Sequence, residues 1–295
     1  MSRPLPLALV QAPPHPASAA FAGFASDTEH LLGRLPGTRM VIHPEMHLCG
    51  VDPGAPDNHE QLRAAAEPLD GPRVTALAEL AGDLKVWLLP GTVCELGSGG
   101  ELFNTALAFS PEGRLVASYR KIFPWRPYEP YDAGDRFVVF DVPDTGRIGF
   151  SVCYDAWYPE VTRHLAWMGA EVVVNPVMTT TADRAQEIVL ARANAIVNQV
   201  HVVSVNTAGP VGTGRSLTVD PEGRVRVEAP SEAPTVLTDV LDLDDVTRVR
   251  KYGTAGVTRV WDVFGEDDSP LELPLYGGRI DPRQWRPATA GEARA

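Results

Sequence analysis

Three residues in this chain carry side chains suited to chemistry, in surroundings that make two of them costly. Cys153 ends the apolar run of "GFSVCYDAWYPE", residues 149–160. Lys121 sits in "YRKIFPWRPYEP", where Ile122, Phe123, Pro124 and Trp125 follow it. Glu45 sits in "VIHPEMHL", between Ile42 and Leu48. An ammonium or a carboxylate in apolar surroundings is unfavourable without a partner. A Glu, a Lys and a Cys brought together would satisfy one another electrostatically, and the set holds a base, a cation and a nucleophile. Each residue also has an ordinary reading: free cysteine is among the most buried residue types, and a loop lysine is usually solvated. Context favours chemistry at Cys153. A helix starting near Pro159 would direct its N–H groups back at the sulfur, and a neighbouring lysine would add to the effect, both favouring thiolate.

Such residues need a scaffold that ends several strands close together. "PLPLALVQ" (4–11), "RMVIHPEM" (39–46), "KVWLLPGTV" (85–93), "RIGFSVCYD" (147–155), "EVVVNPV" (171–177) and "VHVVSVN" (200–206) read as strands. Residues 17–35, 59–81 (broken at 68–72), 159–170 and 183–199 read as helices. Val161, Leu165 and Met168 lie at i, i+4 and i+7, one apolar face. Two hairpins, 104–121 with turn "SPEG" and 215–229 with turn "DPEG", echo each other. The recurring order predicts one α/β domain with internal pseudo-symmetry over residues 1–265. In an open α/β sheet functional groups gather at the carboxyl ends of strands. Glu45, Lys121 and Cys153 each follow an apolar run where a strand should stop. Residues 266–295, rich in Pro and Gly, read as a tail that is loose or wraps over a partner.

The 295 residues carry a formal net charge of −12, which disfavours nucleic acid and anionic membranes as partners. No apolar run reaches the roughly 20 residues of a membrane helix, and "MSRPLPLALVQAPPHP" lacks a signal-peptide pattern. Three cysteines without a CxxC pair suggest free thiols in a reducing, cytoplasmic setting. "HPEMH" lacks the helical spacing of a metal site, and Pro44 blocks a helix there. "GSGG" (97–100) reads as a turn, Cys49 and Cys94 as ordinary thiols, and Asp155 as an anchor for the cysteine loop through backbone hydrogen bonds.

The chain resembles the nitrilase superfamily of carbon–nitrogen hydrolases over roughly residues 5–265. Five segments stand in that family's order: "HPE", "NTALAFSPEGRLVASYRK" with its "YRK", "CYDAWYPE" and "ARANAIVNQVHVVSVNTAG", the third-from-last "YRK" counted as a motif of its own. The resemblance implies a four-layer α-β-β-α sandwich that pairs into an α-ββ-α-α-ββ-α homodimer or a higher homo-oligomer, with helices 159–170 and 183–199 at the interface. Both helices carry large apolar residues on more than one face, including Trp167. The resemblance also implies hydrolysis of a non-peptide C–N bond, a small or medium amide to acid plus ammonia or amine, through a cysteine thioester and without cofactor or metal. Glu45 would be the base, Cys153 the nucleophile, and Lys121 with the backbone N–H of Tyr154 the oxyanion donors. Glu129 matches the family's second glutamate. Tyr154, Trp157, Trp125 and Asn175 are the substrate-side candidates. Nitrile or N-carbamoyl hydrolysis and acyl transfer to an amine are alternatives. A binding protein on the same fold is disfavoured, because a buried ionic trio is costly to keep. Trp157 stands where many relatives carry an Arg that recognises a carboxylate, so a carboxylate-bearing substrate is disfavoured. "KIFPWRPYEP" looks like the segment of formamidases and aliphatic amidases. His43 in place of the usual Phe is expected to make the wall beside the base more polar.

Overall fold

The computed structural model describes residues 2–17, 21–51, 55–281, 283, 286–289 and 292. Side-chain alternation along the strands builds its layers. In β1 (Pro4–Gln11), Leu5, Leu7 and Leu9 face one way and Ala8 the other, the period of two that a strand imposes. After α1 (Phe21–Arg34), β2 (Met40–Ile42) repeats the pattern, with Met40 and Ile42 on the Leu7 side and Val41 opposite. Helices α2 (Asn58–Ala64) and α3 (Pro72–Leu84) lead to β3 (Trp87–Leu89), β4 (Thr92–Leu96), β5 (Leu102–Phe109) and β6 (Leu115–Arg120). The second half runs β7 (Val139–Val142), β8 (Gly146–Phe150), a 3₁₀ turn (Cys153–Trp157), α4 (Pro159–Trp167), β9 (Val172–Val177), α5 (Arg184–Asn198), β10 (His201–Asn206), β11 (Leu217–Val219) and β12 (Val225–Glu228). Then come β13 (Thr235–Asp242), α6 (Asp244–Tyr252) and a small hairpin, β14 (Leu271–Leu273) and β15 (Gly278–Ile280).

Two sheets result. One has the order β13-β1-β2-β3-β5-β4, with β6 also on β5; the other has the order β12-β11-β10-β9-β8-β7. Each is centred on three parallel strands, β1-β2-β3 and β8-β9-β10. In register, Leu9, Ile42 and Leu89 line one sheet, and Phe150, Val174 and Val203 the other. These inward rows form the core between the sheets. A second core packs α1 and α3 on the outer face of the first sheet, through Phe24, Leu77 and Val41. A third packs α4 and α5 on the second sheet, through Val161, Leu165 and Val173. The architecture is the four-layer α-β-β-α sandwich with its two halves alike.

The pseudo-symmetry places the chemistry. Glu45 lies three residues beyond the end of β2 and Cys153 three beyond the end of β8, both at carboxyl ends of central parallel strands. Gly91, between β3 and β4, has φ +82°, and a Cβ there would lie 1.7 Å from the Pro44 carbonyl oxygen. Only glycine lets that turn pass beneath the loop that carries Glu45.

Several expectations change. The strand expected over 147–155 stops at Phe150, because Val152 gives its N–H to Asp155 and the chain turns into 3₁₀ geometry at Cys153. The stretch 85–93 is two strands broken at Pro90 and Gly91. The first helix begins at Phe21; residues 18–20 of the expected span lie outside the described residues. Both β13 and α6 are additional to the expected elements. Met168 caps α4 and is not a member of it. In the tail, the Tyr276 hydroxyl bonds to Glu160 and Ala288 N–H donates to the Trp167 carbonyl at 3.0 Å, so these residues pack on the chain's own α4. Residues 282, 284–285, 290–291 and 293–295 of the tail lie outside the described residues.

Candidate active site

Lys121 follows β6 directly and is 0% exposed. Its Nζ donates to Glu45 Oε1 at 3.0 Å and to Glu129 Oε1 at 2.7 Å. Burial alone would lower the ammonium pKa, but the charges of Glu45, Glu129 and Cys153 outweigh it and hold Lys121 well above its ordinary value. Glu45 is held from both oxygens. Oε1 also accepts from Asn104 Nδ2 at 2.8 Å, and Oε2 from the Met178 N–H at 2.9 Å. Burial pushes the Glu45 carboxyl up, Lys121 pulls it back, Glu129 pushes it further up, and the net is a raised value. Glu129 Oε2 accepts the Trp125 N–H at 2.9 Å, so the aromatic segment after Lys121 folds its own carboxylate back onto the ammonium.

Cys153 opens the 3₁₀ turn with φ +49°, a left-handed conformation that costs a non-glycine residue on the order of 1 kcal/mol or more. Asp155 sustains it. Its buried carboxylate accepts from Val152 N–H and Phe123 N–H at 2.9 Å each and from the Tyr119 hydroxyl at 2.7 Å. One side chain thereby joins the cysteine turn to the segment after Lys121. Asn194 on α5 adds a bond to the Ala156 carbonyl at 3.0 Å. The charges of Glu45 and Lys121 both act on the thiol. Burial first, then the negative charge of Glu45, raises the thiol well above its ordinary value, with Lys121 only partly opposing. The expectation of a thiolate favoured by a helix end and a lysine is therefore corrected. Burial and the carboxylates win, and they favour the protonated thiol.

Glu45, Lys121, Cys153 and Glu129 are thus brought together. The substrate-side candidates fare differently. Tyr154 and Trp157 lie within the turn with rings 6.3 Å apart, and the first N–H groups of such a turn have no partner within it. The Trp125 ring lies 4.3 Å from that of Tyr128, tilted by 36°. Asn175 gives its amide to Ser151 O at 3.1 Å and Ser151 Oγ at 3.2 Å, bracing the segment before Cys153. His43 is corrected as a pocket wall. By strand alternation it falls on the Val41 side, where its ring lies 4.9 Å from both Phe24 and His47. Sequence reasoning passed over Asn104, although it lies in the quoted "NTALAF" run, and the Met178 amide, which carries no side-chain signal.

The comparisons with known proteins follow this geometry. The sequence model described as "Carbon-nitrogen hydrolase" matches residues 7–251. A formamidase from Bacillus cereus is 32% identical over 175 residues, which are 59% of this chain and 52% of the relative. The match thus spans about half the length of that curated relative. The crystal structure of Saccharomyces cerevisiae Nit3, a member of branch 10 of the nitrilase superfamily, superposes with a TM-score of 0.75 and 26% identity, covering 84% of this chain and 94% of that one. An amidase from Nesterenkonia sp. superposes with a TM-score of 0.69 and 24% identity over 85% of this chain and 94% of its own, a likeness of fold.

Proposed function

Since this chain belongs to the carbon-nitrogen hydrolase family, a family of enzymes, we propose that it hydrolyses small, uncharged amides through a thioester on Cys153. The observation that supports this most is the buried Lys121 ammonium bridging Glu45 and Glu129, with the charges of Glu45 and Lys121 both acting on the Cys153 thiol. Glu45 takes the thiol proton as sulfur attacks the carbonyl carbon, and the C=O electrons move to oxygen. Lys121 Nζ and the Tyr154 N–H stabilise that oxyanion. On collapse the C–N bond breaks and Glu45 gives its proton to the departing nitrogen. Water then gives a proton to Glu45, attacks the thioester, and releases the acid with the thiol restored. Raised pKa values for both Glu45 and Cys153 suit this shared proton. Every group the steps use is a side chain or backbone amide of the chain.

Two carboxylates against one ammonium leave the pocket with surplus negative charge, and Trp157 occupies the position of a carboxylate-binding Arg. Both favour neutral substrates. The formamidase likeness points to a short acyl group. Ammonia release from formamide, acetamide, butyramide, a nitrile and a ureido acid tests the reading. The amides should turn over, with kcat/KM for a neutral amide above that for the ureido acid. Turnover of the nitrile or ureido acid alone would contradict it, as would amine-dependent acyl transfer without hydrolysis.

We further propose that the chain self-associates. On α5, Val189 is 63% exposed, with Ile196 and Val197 also open, an apolar surface beyond what the third core covers. Light scattering should give more than the mass of one chain at micromolar concentration; a stable monomer would contradict this. Free Cys49, Cys94 and Cys153 suit a reducing, cytoplasmic setting.

A further inference from the structure

Asn104, on β5, touches both members of the Glu45–Lys121 pair. Its side-chain Nδ2 donates to Glu45 Oε1 at 2.8 Å, and its backbone carbonyl accepts the Lys121 N–H at 2.9 Å. The strand lies between β4 and β6, with Cys94 opposite Asn104 on β4 and Arg120 opposite Thr105 on β6, so ladders on both sides fix its backbone. By strand alternation Asn104 falls on the side of Ala106 and Ala108, which face the apolar core between the sheets. It is 0% exposed, and its Oδ1 has no hydrogen-bond partner among the described residues. A buried amide with an unpaired oxygen is an unfavourable occupant of such a place. The opposite orientation of the amide would set Oδ1 against Glu45 Oε1, acceptor against acceptor, so the NH2 faces the carboxylate.

We propose that Asn104 is a positioning residue that holds Glu45 ionised and fills its Oε1, so that Oε2 takes the proton leaving Cys153. The inference rests on Glu45 serving as the base. A carboxylate has about four lone-pair sites, shared equally by its oxygens. Oε1 accepts from Lys121 Nζ and from Asn104 Nδ2, which uses both of its sites. Among the described residues Oε2 accepts only the Met178 N–H, which leaves one site open. When the Cys153 S–H bond breaks, its electrons stay on sulfur and the open site on Oε2 receives the proton. Burial and the charge of Glu129 both favour a neutral Glu45. A donor bonded to the ionised form opposes them. Lys121 is shared with Glu129, whereas the Asn104 amide is neutral and does not titrate. Its hydrogen bond to Glu45 therefore persists when the charges around the ammonium change.

The test compares the wild-type chain with two variants of it. Asn104→Leu keeps the approximate volume and removes the donor; Asn104→Asp keeps the shape and puts an acceptor in the donor's place. The readouts are kcat and KM for a neutral amide across pH, the carbon-13 resonance of the Glu45 side-chain carboxyl across pH (assigned by its loss in Glu45→Gln), and thermal melting. Asn104→Leu should move the acid limb of kcat/KM up by about one pH unit and carry the Glu45 carboxyl titration the same way. Its kcat should fall roughly ten-fold with KM within about three-fold. Asn104→Asp should move limb and titration at least as far, because a second carboxylate beside Glu45 adds repulsion, and it carries the test should the leucine variant fail to fold. An acid limb and a carboxyl titration that stay in place in a folded variant would overturn the proposal, even with a lowered kcat or melting temperature. A wild-type chain with no amidase activity would instead overturn the reading of Glu45 as base, while the carboxyl titration would still show whether Asn104 holds the carboxylate ionised.

Discussion

The cysteines of this protein occupy two contrasting environments. Cys49 is fully buried in the outer core of the first sheet. Its sulfur accepts the Cys94 N–H at 3.4 Å and faces Arg73 at 3.6 Å. The hydrogen bond to the Cys94 side chain, more than the nearby guanidinium, draws its thiol down to about 7 despite burial. Cys153 is partly open to solvent and its thiol is pushed well above the ordinary value. By acidity alone, Cys49 would be the reactive thiol. Among the described residues no carboxylate hydrogen-bonds to it, and it is 0% exposed. Cys153 has the charges of Glu45 and Lys121 acting on it and stands at the start of its turn. Under the proposed function, the contrast teaches that a nucleophile can be marked by an adjacent base instead of by a low resting pKa. An acidic thiol sealed in a core is a consequence of local hydrogen bonding.

The contrast breaks most visibly by mutation. Cys153→Ala should lower turnover by roughly 10⁴-fold or more with the fold intact, whereas Cys49→Ala should keep kcat within about two-fold and cost about 1 kcal/mol of stability. Amidase activity surviving in Cys153→Ala would end the account. Glu129→Gln comes next. It keeps the shape and removes one of the two charges on Lys121, and kcat should fall roughly ten- to thousand-fold. Rapid-quench analysis sharpens the outcome: an accumulating acyl-enzyme assigns Glu129 to placing water, a slowly formed one to orienting the substrate or Lys121. Wild-type kinetics in the Gln variant would place Glu129 outside the machinery. The smallest effect is on pH dependence. Because Glu45 is raised, activity should fall on the acid side while still above the ordinary carboxylate range. Because Cys153 is raised, the alkaline limb should lie above the ordinary thiol range. An acid limb within the ordinary carboxylate range, or an alkaline limb below the ordinary thiol range, would contradict these directions.

Much of this was legible in the sequence, because strands write their faces as a period of two. Leu5, Leu7 and Leu9 declare the inner core, and Pro159 declares the first turn of α4. The "SPEG" and "DPEG" turns declare the hairpins. What escaped depends on partners distant in sequence. The apolar Val152 reads as strand, and only the Asp155 carboxylate bonding back to its N–H ends β8 there. The strand β13 pairs with β1, with Thr235 opposite Gln11. It leaves Val236 and Val240 exposed, so it lacks the continuous apolar signature of the central strands. The thiol's raised pKa could not be read, since it follows from burial and from Glu45 arriving from the other half of the chain. The Met178 contact is a backbone donor, which no residue type announces.

The central claim, that Cys153 and not the more acidic Cys49 is the nucleophile, is tested most directly by alkylation of the wild-type chain with iodoacetamide. Peptide-mapped mass spectrometry at successive times is set against residual amidase activity. The account predicts that one adduct, on Cys153, grows in step with the loss of activity, that a neutral amide substrate slows both, and that Cys49 and Cys94 stay unmodified until the protein unfolds. Activity lost in step with modification of Cys49, with Cys153 still unmodified, would contradict it.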